Sequence, residues 1–325
     1  MNARFRKFSC LVASVLVTFS PISWSQAFPD HPIRVIVPYA PGGGTDIILR
    51  LLAPKAGQLL GQSIVIDNKP GGSTMLGTNQ VIRSAPDGYT LVAADSTILI
   101  NPAVNKDKLP YDTLKDLQGV SMLATSPVVL LLNPQVPAKN LTELIALAKA
   151  KPGQLNYGSG GIGAGTHLTG ELLRIRANID MVHVPYNGTS PGLNAVISGD
   201  VQMMFGGISS GRSFIESGRV RGIALTGNER NAAVPDVPTF SEYGLDMVDA
   251  STYWGIYAPV GVPKAIVEKI SQAFAQAMKD PAALKGMTDL GYIPIGNTPA
   301  QHTDQLRAMV GQWIDVVKKA NIKVD

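Results

Sequence analysis

Four segments of the chain share one order of residues. An apolar, strand-like run comes first, a loop rich in glycine, serine and threonine follows, and an amphipathic helical pattern then begins. The segments are RVIVPYAPGGGTD (34–46), LNYGSGGIGAGTH (155–167), VHVPYNGTSPG (182–192) and VQMMFGGISSG (201–211). Strands that alternate with helices at this spacing are typical of a parallel sheet covered by helices. The sequence therefore predicts an α/β fold.

The strand patterns fall into two sets, which predict two lobes. The first set precedes residue 126, and a second begins at PVVLLLNPQVP (127–137). A further strand pattern, TYWGIYAPVGVP (252–263), is followed by helices and is expected to fold back onto the first set. We therefore predict a first lobe of residues 28–125 and 252–325 and a second lobe of residues 126–251, each with a mostly parallel sheet flanked by helices.

The glycine loops predict the binding of an anion by neutral groups. The first turn of a helix has N–H groups without intrahelical partners, and the positive end of the helix dipole lies there. A loop that opens a helix is therefore a ready anion site. None of the four glycine-rich loops contains a lysine or arginine before its helix begins. Because the carboxyl ends of strands would face a cleft between the lobes, we expect these loops to meet there.

The N-terminal residues predict export. MNARFRKFS is basic, CLVASVLVTFSPIS is apolar but short for a membrane span, and Ser25, Gln26 and Ala27 fit a signal-peptidase site. We interpret residues 1–27 as a signal peptide, cleaved after about Ala27, with a membrane anchor as the alternative. Cleavage lowers the formal net charge from +4 to about +1 and removes Cys10, the one cysteine. Nucleic acid is then a poor partner, and a disulfide or thiol site is excluded.

Two enzyme hypotheses arise from short motifs. Residues 207–211 (GISSG) match G-x-S-x-G between a strand and a helix, with His302 downstream, so an exported serine esterase that uses Ser209 is the alternative function. Residues 158–163 (GSGGIG) match a dinucleotide loop, but the next strand does not end in an acid. The scattered histidines give no metal-ligand spacing, and no P-loop occurs. We therefore expect no metal and no cofactor.

Several motifs along the chain resemble one family of solute receptors. They are FPDHPIRVIVPYAPGGGTD at residues 28–46, NKPGG at 68–72, PDGYT at 86–90, YGSGGIGAGTHL at 157–168, VPYNG at 184–188 and WGIYAP at 254–259. In these motifs and their order the chain resembles the TctC or Bug-type periplasmic solute-binding receptors of the tripartite tricarboxylate transporter family.

The resemblance implies a fold and a function. It implies a two-lobed, Venus-flytrap protein of the type II-like kind, located in the periplasm, that is not an enzyme. It would capture a small organic carboxylate, such as a dicarboxylate, an acidic amino acid or an aromatic acid, and deliver it to permease subunits in the cytoplasmic membrane. We expect it to be a monomer. Phosphate or sulfate binding stays open as an alternative because it uses the same helix-start chemistry.

The resemblance also gives a set of candidate ligand-binding residues, carried over by position. In the first lobe they are Tyr39, Gly42, Gly43, Gly44, Thr45 and Asp46, and Tyr253 at a later strand end. In the second lobe they are Ser159, Gly163, Ala164, Gly165, Thr166, His167, Tyr186, Asn187, Gly188, Thr189, Gly207 and Ser209.

Some of these residues have a second interpretation. Asp46 could orient the ligand or only stabilise the start of its helix, and His167 could donate to a ligand or pack. Tyr253 could line the ligand or pack the hinge. Many relatives have an acid after the phenylalanine of the fourth loop, whereas here Phe205 is followed by Gly206 and Gly207.

Overall fold

The strands form two sheets. The computed structural model describes residues 28–186, 188–247 and 250–322, so the predicted signal peptide and Asn187 lie outside the described residues. In the first sheet the strands are β1 (Ile33–Val37), β2 (Ile64–Asn68), β3 (Thr90–Asp95), β4 (Leu117–Ser126), β10 (Thr252–Pro259) and β11 (Ile293–Pro294), in the order β11-β4-β10-β3-β1-β2. In the second they are β5 (Val128–Leu132), β6 (Asn156–Ser159), β7 (Val182–Pro185), β8 (Met203–Gly207) and β9 (Arg221–Leu225), in the order β7-β6-β8-β5-β9.

Helices flank both sheets. Up to β5 they are α1 (Gly44–Leu60), α2 (Met75–Ile82), α3 (Thr97–Val104) and α4 (Thr113–Asp116). Between the strands of the second sheet and after β8 they are α5 (Leu141–Ala150), α6 (Gly165–Ala177), α7 (Thr189–Ser198) and α8 (Ile208–Glu216). The last three are α9 (Lys264–Ala277), α10 (Pro281–Asp289) and α11 (Pro299–Ala320). The expected two-lobed α/β architecture is confirmed.

Both sheets are mixed, but most of the described strands run in one direction, four of six in the first sheet and four of five in the second, in keeping with the expectation of mostly parallel sheets. β1 pairs in parallel with β2 and β3, and β6 with β7 and β8. In contrast, β10 runs antiparallel to β3 and β4, β11 to β4, and β5 to β8 and β9. These antiparallel pairs involve the strands at which the chain passes from one sheet to the other. A strand that enters from the other lobe has no crossover helix to turn it into the parallel direction.

The two passages between the sheets lie next to each other. β4 ends at Ser126 and β5 begins at Val128, so only Pro127 separates strands of different sheets. The return passage lies between β9 and β10. Thr226, just after β9, accepts a hydrogen bond from the N–H of Val128 (2.9 Å) and contacts the hydroxyl of Ser251 (3.1 Å). The two passages are therefore bonded to each other.

The largest apolar core cluster is continuous across the two sheets. It includes Val92 of the first sheet and Leu130 of the second, with Leu168 of α6 and Trp313 of α11 between them. Each of these side chains is almost fully buried. Helix α11 thus packs against both lobes. Among the described residues, no helix combines the length and apolar character needed to cross a membrane.

Candidate ligand-binding cavity between the two sheets

A cavity of about 220 Å³ lies between the two sheets. Its walls come from both sheets, from the two passages and from α11. The lining residues are Asp95, Ser96, Thr97, Ile100, Val128, Ala164, Gly165, Thr166, Thr169, Thr189, Gly207, Ala250, Ser251, Thr252 and Trp313. Most of these are small or bear a hydroxyl group, so the wall presents hydroxyl and backbone groups to whatever occupies the space.

The cavity lies where strands end and helices begin. β3 ends at Asp95 and α3 begins at Thr97, while β8 ends at Gly207 and α8 follows directly. Helix α6 contributes its first residues, Gly165 and Thr166, and α7 contributes Thr189. Ligands of α/β proteins bind beyond the carboxyl ends of the strands for this reason, because loops and helix starts converge there.

The helices of the second lobe that reach the cavity begin without a side-chain cap. The residues that precede α6, α7 and α8 are Ala164, Gly188 and Gly207, and none accepts a hydrogen bond from the first turn through a side chain. Away from the cavity, α5, α10 and α11 are capped by Asn140, Asp280 and Thr298. Helices α1, α2 and α9 are also uncapped, so a missing cap alone does not define the site. At the cavity, however, it leaves first-turn N–H groups for a ligand.

One charged residue lies in the cavity wall. Among the lining residues Asp95 is acidic, and none is lysine, arginine or histidine. Its Oδ1 accepts hydrogen bonds from the Tyr39 hydroxyl (2.5 Å) and from the N–H of Thr97 (2.8 Å). Burial, and then the charge of Asp95, hold the pKa of Tyr39 well above its usual value, so the phenol stays a donor. An anion in this cavity would be bound without a fixed cation.

The first glycine loop does not line the cavity. It is connected to the cavity wall by Tyr39, whose hydroxyl group donates a hydrogen bond to Asp95. Gly42, Gly43, Gly44, Thr45 and Asp46 are absent from the wall. Asp46 is only 2% exposed and accepts hydrogen bonds from the N–H of Gly42 (2.9 Å) and from Arg50 Nε (2.8 Å). These bonds, with one from Asn68, hold the loop in place, and the Arg50 bond chiefly lowers the pKa of Asp46. Asp46 thus orients its own loop.

The second glycine loop lines the cavity with Ala164, Gly165 and Thr166. The Thr166 hydroxyl oxygen accepts a hydrogen bond from the N–H of Gly160 (2.9 Å), which ties the end of β6 to the start of α6. The remaining predicted members, Ser159, Gly163 and His167, lie behind this wall.

His167 has a packing role. Its Nδ1 accepts a hydrogen bond from the N–H of Gly163 (3.0 Å), and its ring stacks on His183 with centroids 3.7 Å apart. Burial lowers the pKa of both histidines, to about 4 for His183. Nε2 of His183 is 2.6 Å from Oγ of Ser159, which is fully buried. The serine hydroxyl of this pair is therefore not exposed to a substrate.

The third and fourth loops line the cavity with Thr189 and Gly207. Tyr186, Gly188 and Ser209 do not belong to the wall, and Asn187 lies outside the described residues. A Cβ at Gly206 would meet Leu131 at 3.1 Å, whereas a Cβ at Gly207 would have only the hydroxyls of Ser209 and Ser210 nearby, each at 3.8 Å. A side chain at Gly206 would thus press against Leu131, whereas a side chain at Gly207 would have room.

The arrangement expected of a serine esterase is not formed. Ser209 is exposed in the first turn of α8, while His302 is fully buried in α11. The His302 ring packs 4.7 Å from that of Tyr257, and neither ring nitrogen has a hydrogen-bond partner among the described residues. Burial lowers its pKa to about 3. A general base must be hydrogen-bonded to its nucleophile, directly or through one water.

Ten of the fifteen residues in the cavity wall are not among those predicted from the sequence. They are Asp95, Ser96, Thr97, Ile100, Val128, Thr169, Ala250, Ser251, Thr252 and Trp313. A signal for the first of these existed, because the strand YTLVAAD is followed by Ser96 and Thr97 at a helix start, but without glycine. Tyr253, which was expected there, instead donates its N–H to the Ser96 hydroxyl (2.9 Å). No group of side chains suited to hold a metal ion occurs in the described part of the chain.

Two mixed sheets joined by two passages, with a polar cavity between them, define a two-lobed binding protein of the periplasmic type. The chain is 39% identical to a solved periplasmic transporter, with a TM-score of 0.78 over 92% of this chain and 100% of that one. MatC of Rhodopseudomonas palustris, solved with bound malate, is 33% identical, with a TM-score of 0.73 over 89% of this chain and 100% of MatC. Rpa4515 of R. palustris, solved with adipate, is 27% identical, with a TM-score of 0.76 over 91% and 99%.

The match extends to the sequence profile of a family. The profile described as "Tripartite tricarboxylate transporter family receptor" matches residues 48–322. The chain therefore belongs to the receptors of the tripartite tricarboxylate transporter family, which are periplasmic solute-binding proteins.

Proposed function

We propose that this chain captures a small organic carboxylate in the periplasm and delivers it to permease subunits of the cytoplasmic membrane. The observation that carries the proposal is the wall of the cavity between the sheets, where the uncapped starts of α6, α7 and α8 meet and no basic side chain is present. Aligned N–H donors and hydroxyl groups suit a carboxylate, which is planar and accepts several hydrogen bonds. Malate and adipate, bound by the two R. palustris relatives, are both of this class.

The groups that bind the carboxylate are assigned to the second lobe. Backbone N–H groups at Gly165 and Thr166, the first turns of α7 and α8, and the hydroxyls of Thr166 and Thr189 surround one side of the space. The first lobe supplies Ser96, Thr97 and Thr252 on the other side. The loop of residues 39–46 supports the site from behind, through the hydrogen bond of Tyr39 to Asp95.

Closure of the lobes allows these uncharged donors to bind a carboxylate with useful affinity. Water leaves the cavity as the lobes close, and each N–H bond to a charged oxygen then contributes about 1.5–3 kcal/mol. Four such bonds, less the cost of ordering ligand and loops, give a Kd of roughly micromolar. Selection among carboxylates then depends on what lies beyond the carboxylate group. The protein needs no catalytic group for this function.

The remaining parts of the proposal concern location and assembly. Residues 1–27 direct export and are removed after about Ala27, and the mature protein acts as a monomer. The two lobes predicted above move as separate bodies; the proposal is supported by the two sheets, whose strands divide along the chain in the same way except at Ser126, which ends β4 of the first sheet.

Ligand screening tests the proposal. Purified mature protein is screened by thermal shift against dicarboxylates, acidic amino acids and aromatic acids, with phosphate and sulfate as separate arms. We expect at least one carboxylate to raise the melting temperature and to bind with 1:1 stoichiometry in calorimetry, and native mass spectrometry to detect a co-purified acid. Stabilisation by phosphate or sulfate but by no carboxylate would assign the cavity to an inorganic anion.

A second arm tests the absence of esterase activity. A fluorophosphonate probe is added to the wild-type protein and to Ser209→Ala. We expect no labelling of either, because His302, the candidate base, is fully buried and has no hydrogen-bond partner among the described residues. Labelling that is lost in Ser209→Ala would contradict this.

A further inference from the structure

Asp95 places a negative charge in a cavity proposed to bind a negative ligand. It lies at the end of β3, on the first-lobe side of the cavity, opposite the helix starts of the second lobe. The wall has no lysine, arginine or histidine that could neutralise it. Within a space of about 220 Å³, a bound carboxylate and the Asp95 carboxylate would repel each other.

The hydrogen bonds of Asp95 orient its carboxylate without neutralising it. Both protein donors, the Tyr39 hydroxyl and the N–H of Thr97, bond to the same oxygen, Oδ1. Among the described residues, the second oxygen, Oδ2, has no hydrogen-bond partner. Neither donor carries a charge. The side chain is thus fixed at one oxygen and has a free acceptor at the other.

Hydroxyl-bearing residues line the same cavity as this free acceptor. Ser96 and Thr97 follow it directly, and Ser251 and Thr252 line the same wall. Hydroxyl oxygens accept hydrogen bonds from a cation as readily as they donate to an anion. An ammonium group, which has three donors, could bond to one carboxylate oxygen and to hydroxyl oxygens of the same wall.

We propose that Asp95 selects a ligand that carries an ammonium group as well as a carboxylate. The carboxylate faces the uncapped helix starts of α6, α7 and α8, and the ammonium group bonds to Oδ2 of Asp95. Such a zwitterion converts the repulsion between ligand and Asp95 into attraction. Tyr39 acts as a positioning residue, because it holds Asp95 and does not itself line the cavity. This inference rests on the proposed carboxylate function and narrows its ligand class.

Matched ligands test the inference on the wild-type protein. Succinate, malate and aspartate differ only in a hydrogen, a hydroxyl or an ammonium group at one carbon, and glutarate, 2-hydroxyglutarate and glutamate form a longer series. Any other acid that stabilises the protein is compared with its amino-substituted counterpart. We expect the ammonium-bearing member to bind at least about tenfold more tightly than the member without it. This comparison needs no variant.

The variant Asp95→Asn tests whether Asp95 is the residue that selects the ammonium group. Asparagine keeps an Oδ1 acceptor for Tyr39 and Thr97 but removes the charge. We expect at least about tenfold weaker binding of the ammonium-bearing acid and unchanged or tighter binding of the unsubstituted acid. Asp30→Asn is the matched control, because Asp30 also accepts a hydrogen bond from a tyrosine hydroxyl, that of Tyr89 (2.6 Å), outside the cavity wall. We expect it to bind as wild type does.

Different failures have different meanings. If the unsubstituted or hydroxylated acid binds the wild type as tightly as the ammonium-bearing acid, the inference is wrong and the carboxylate function stands. Equal loss of all acids in Asp95→Asn also overturns it. If no carboxylate of any kind binds the wild type, the proposed function itself is wrong.

Discussion

The Tyr39 hydroxyl donates a hydrogen bond to Oδ1 of Asp95 over 2.5 Å. Tyr39 follows β1 and Asp95 ends β3, so the bond joins the ends of two paired strands. It connects the first glycine loop to the cavity, although no residue from 39 to 46 lines the cavity itself. The loop is therefore expected to affect binding through the position of Asp95.

Tyr39→Phe tests this connection. The change removes one donor to a carboxylate, and such a bond contributes about 1.5–3 kcal/mol. We expect a loss of that order in the free energy of unfolding, measured in urea, and weaker ligand binding by calorimetry. Tyr89→Phe deletes a similar bond, to Asp30, outside the cavity wall. Its ligand affinity should equal that of wild type, and an equal loss in both variants would refute the connection.

Gly207→Val and Gly43→Val distinguish the cavity wall from the loop behind it. A Cβ at either position has room, with the nearest atoms at 3.8 Å, and both residues have negative φ, −67° and −78°. Only Gly207 lines the cavity. We expect Gly207→Val to weaken ligand binding at least about tenfold, or about 1.4 kcal/mol, and Gly43→Val to leave it unchanged. Comparable losses in both would show that residues 39–46 contact the ligand, as the family resemblance implies.

Thr166→Val tests the hydroxyl at the start of α6. Valine keeps the shape but removes the acceptor of the Gly160 N–H and a donor in the cavity wall. An unsatisfied buried N–H costs about 1–3 kcal/mol, so we expect lower stability as well as weaker binding. Thr166→Ser retains the hydroxyl and should restore both properties to near wild type. Titration calorimetry and urea unfolding of the two variants measure these effects.

His302 is expected to make the protein less stable in acid. Burial lowers its pKa to about 3, against about 6.5 in the unfolded chain. The unfolded state therefore binds more protons between these values, and stability falls as the pH drops through 6.5 towards 3. From pH 7 to pH 5 the loss from this residue is about 2 kcal/mol.

His302→Leu should remove that share of the pH dependence. Urea unfolding at several pH values measures it, and the difference between the two slopes is independent of any constant loss from repacking. His183, whose pKa is lowered to about 4 by burial and by His167, should keep part of the slope in the variant. A slope equal to that of wild type would show that His302 is solvated in the folded protein.

Residue patterns in the sequence predict the two-lobed α/β architecture. The strands β5 and β10 lie within the runs 127–137 and 252–263 that the sequence predicts, because apolar runs bounded by turn residues are local signals. The direction of β5 and β10 was not predictable in this way. Their antiparallel pairing depends on passages between lobes, and no local pattern distinguishes such a strand from a parallel one.

The site was partly accessible to sequence reasoning for a similar reason. Glycine-rich helix starts such as Gly165 and Gly207 are conspicuous, and both line the cavity. Ser251 and Thr252 also line the cavity, but they do not follow a glycine-rich loop, and the return of the chain from the second sheet brings them there. Asp95 is not recognisable in this way, because the helix start that follows it contains no glycine.

Residues at the ends of both passages between the sheets also form part of the cavity wall. They are Val128, which begins β5, and Ala250 to Thr252, where β10 begins. If one lobe rotates against the other, the backbone has to change conformation near these residues. A ligand in the cavity would therefore contact the hinge. A small displacement at a hinge produces a larger displacement far from the hinge. On the proposed function, a ligand atom that displaces Val128 or Ser251 would also change how far apart the lobes stand. The outer surface offered to the proposed permease would then depend on the shape of the ligand as well as on its presence.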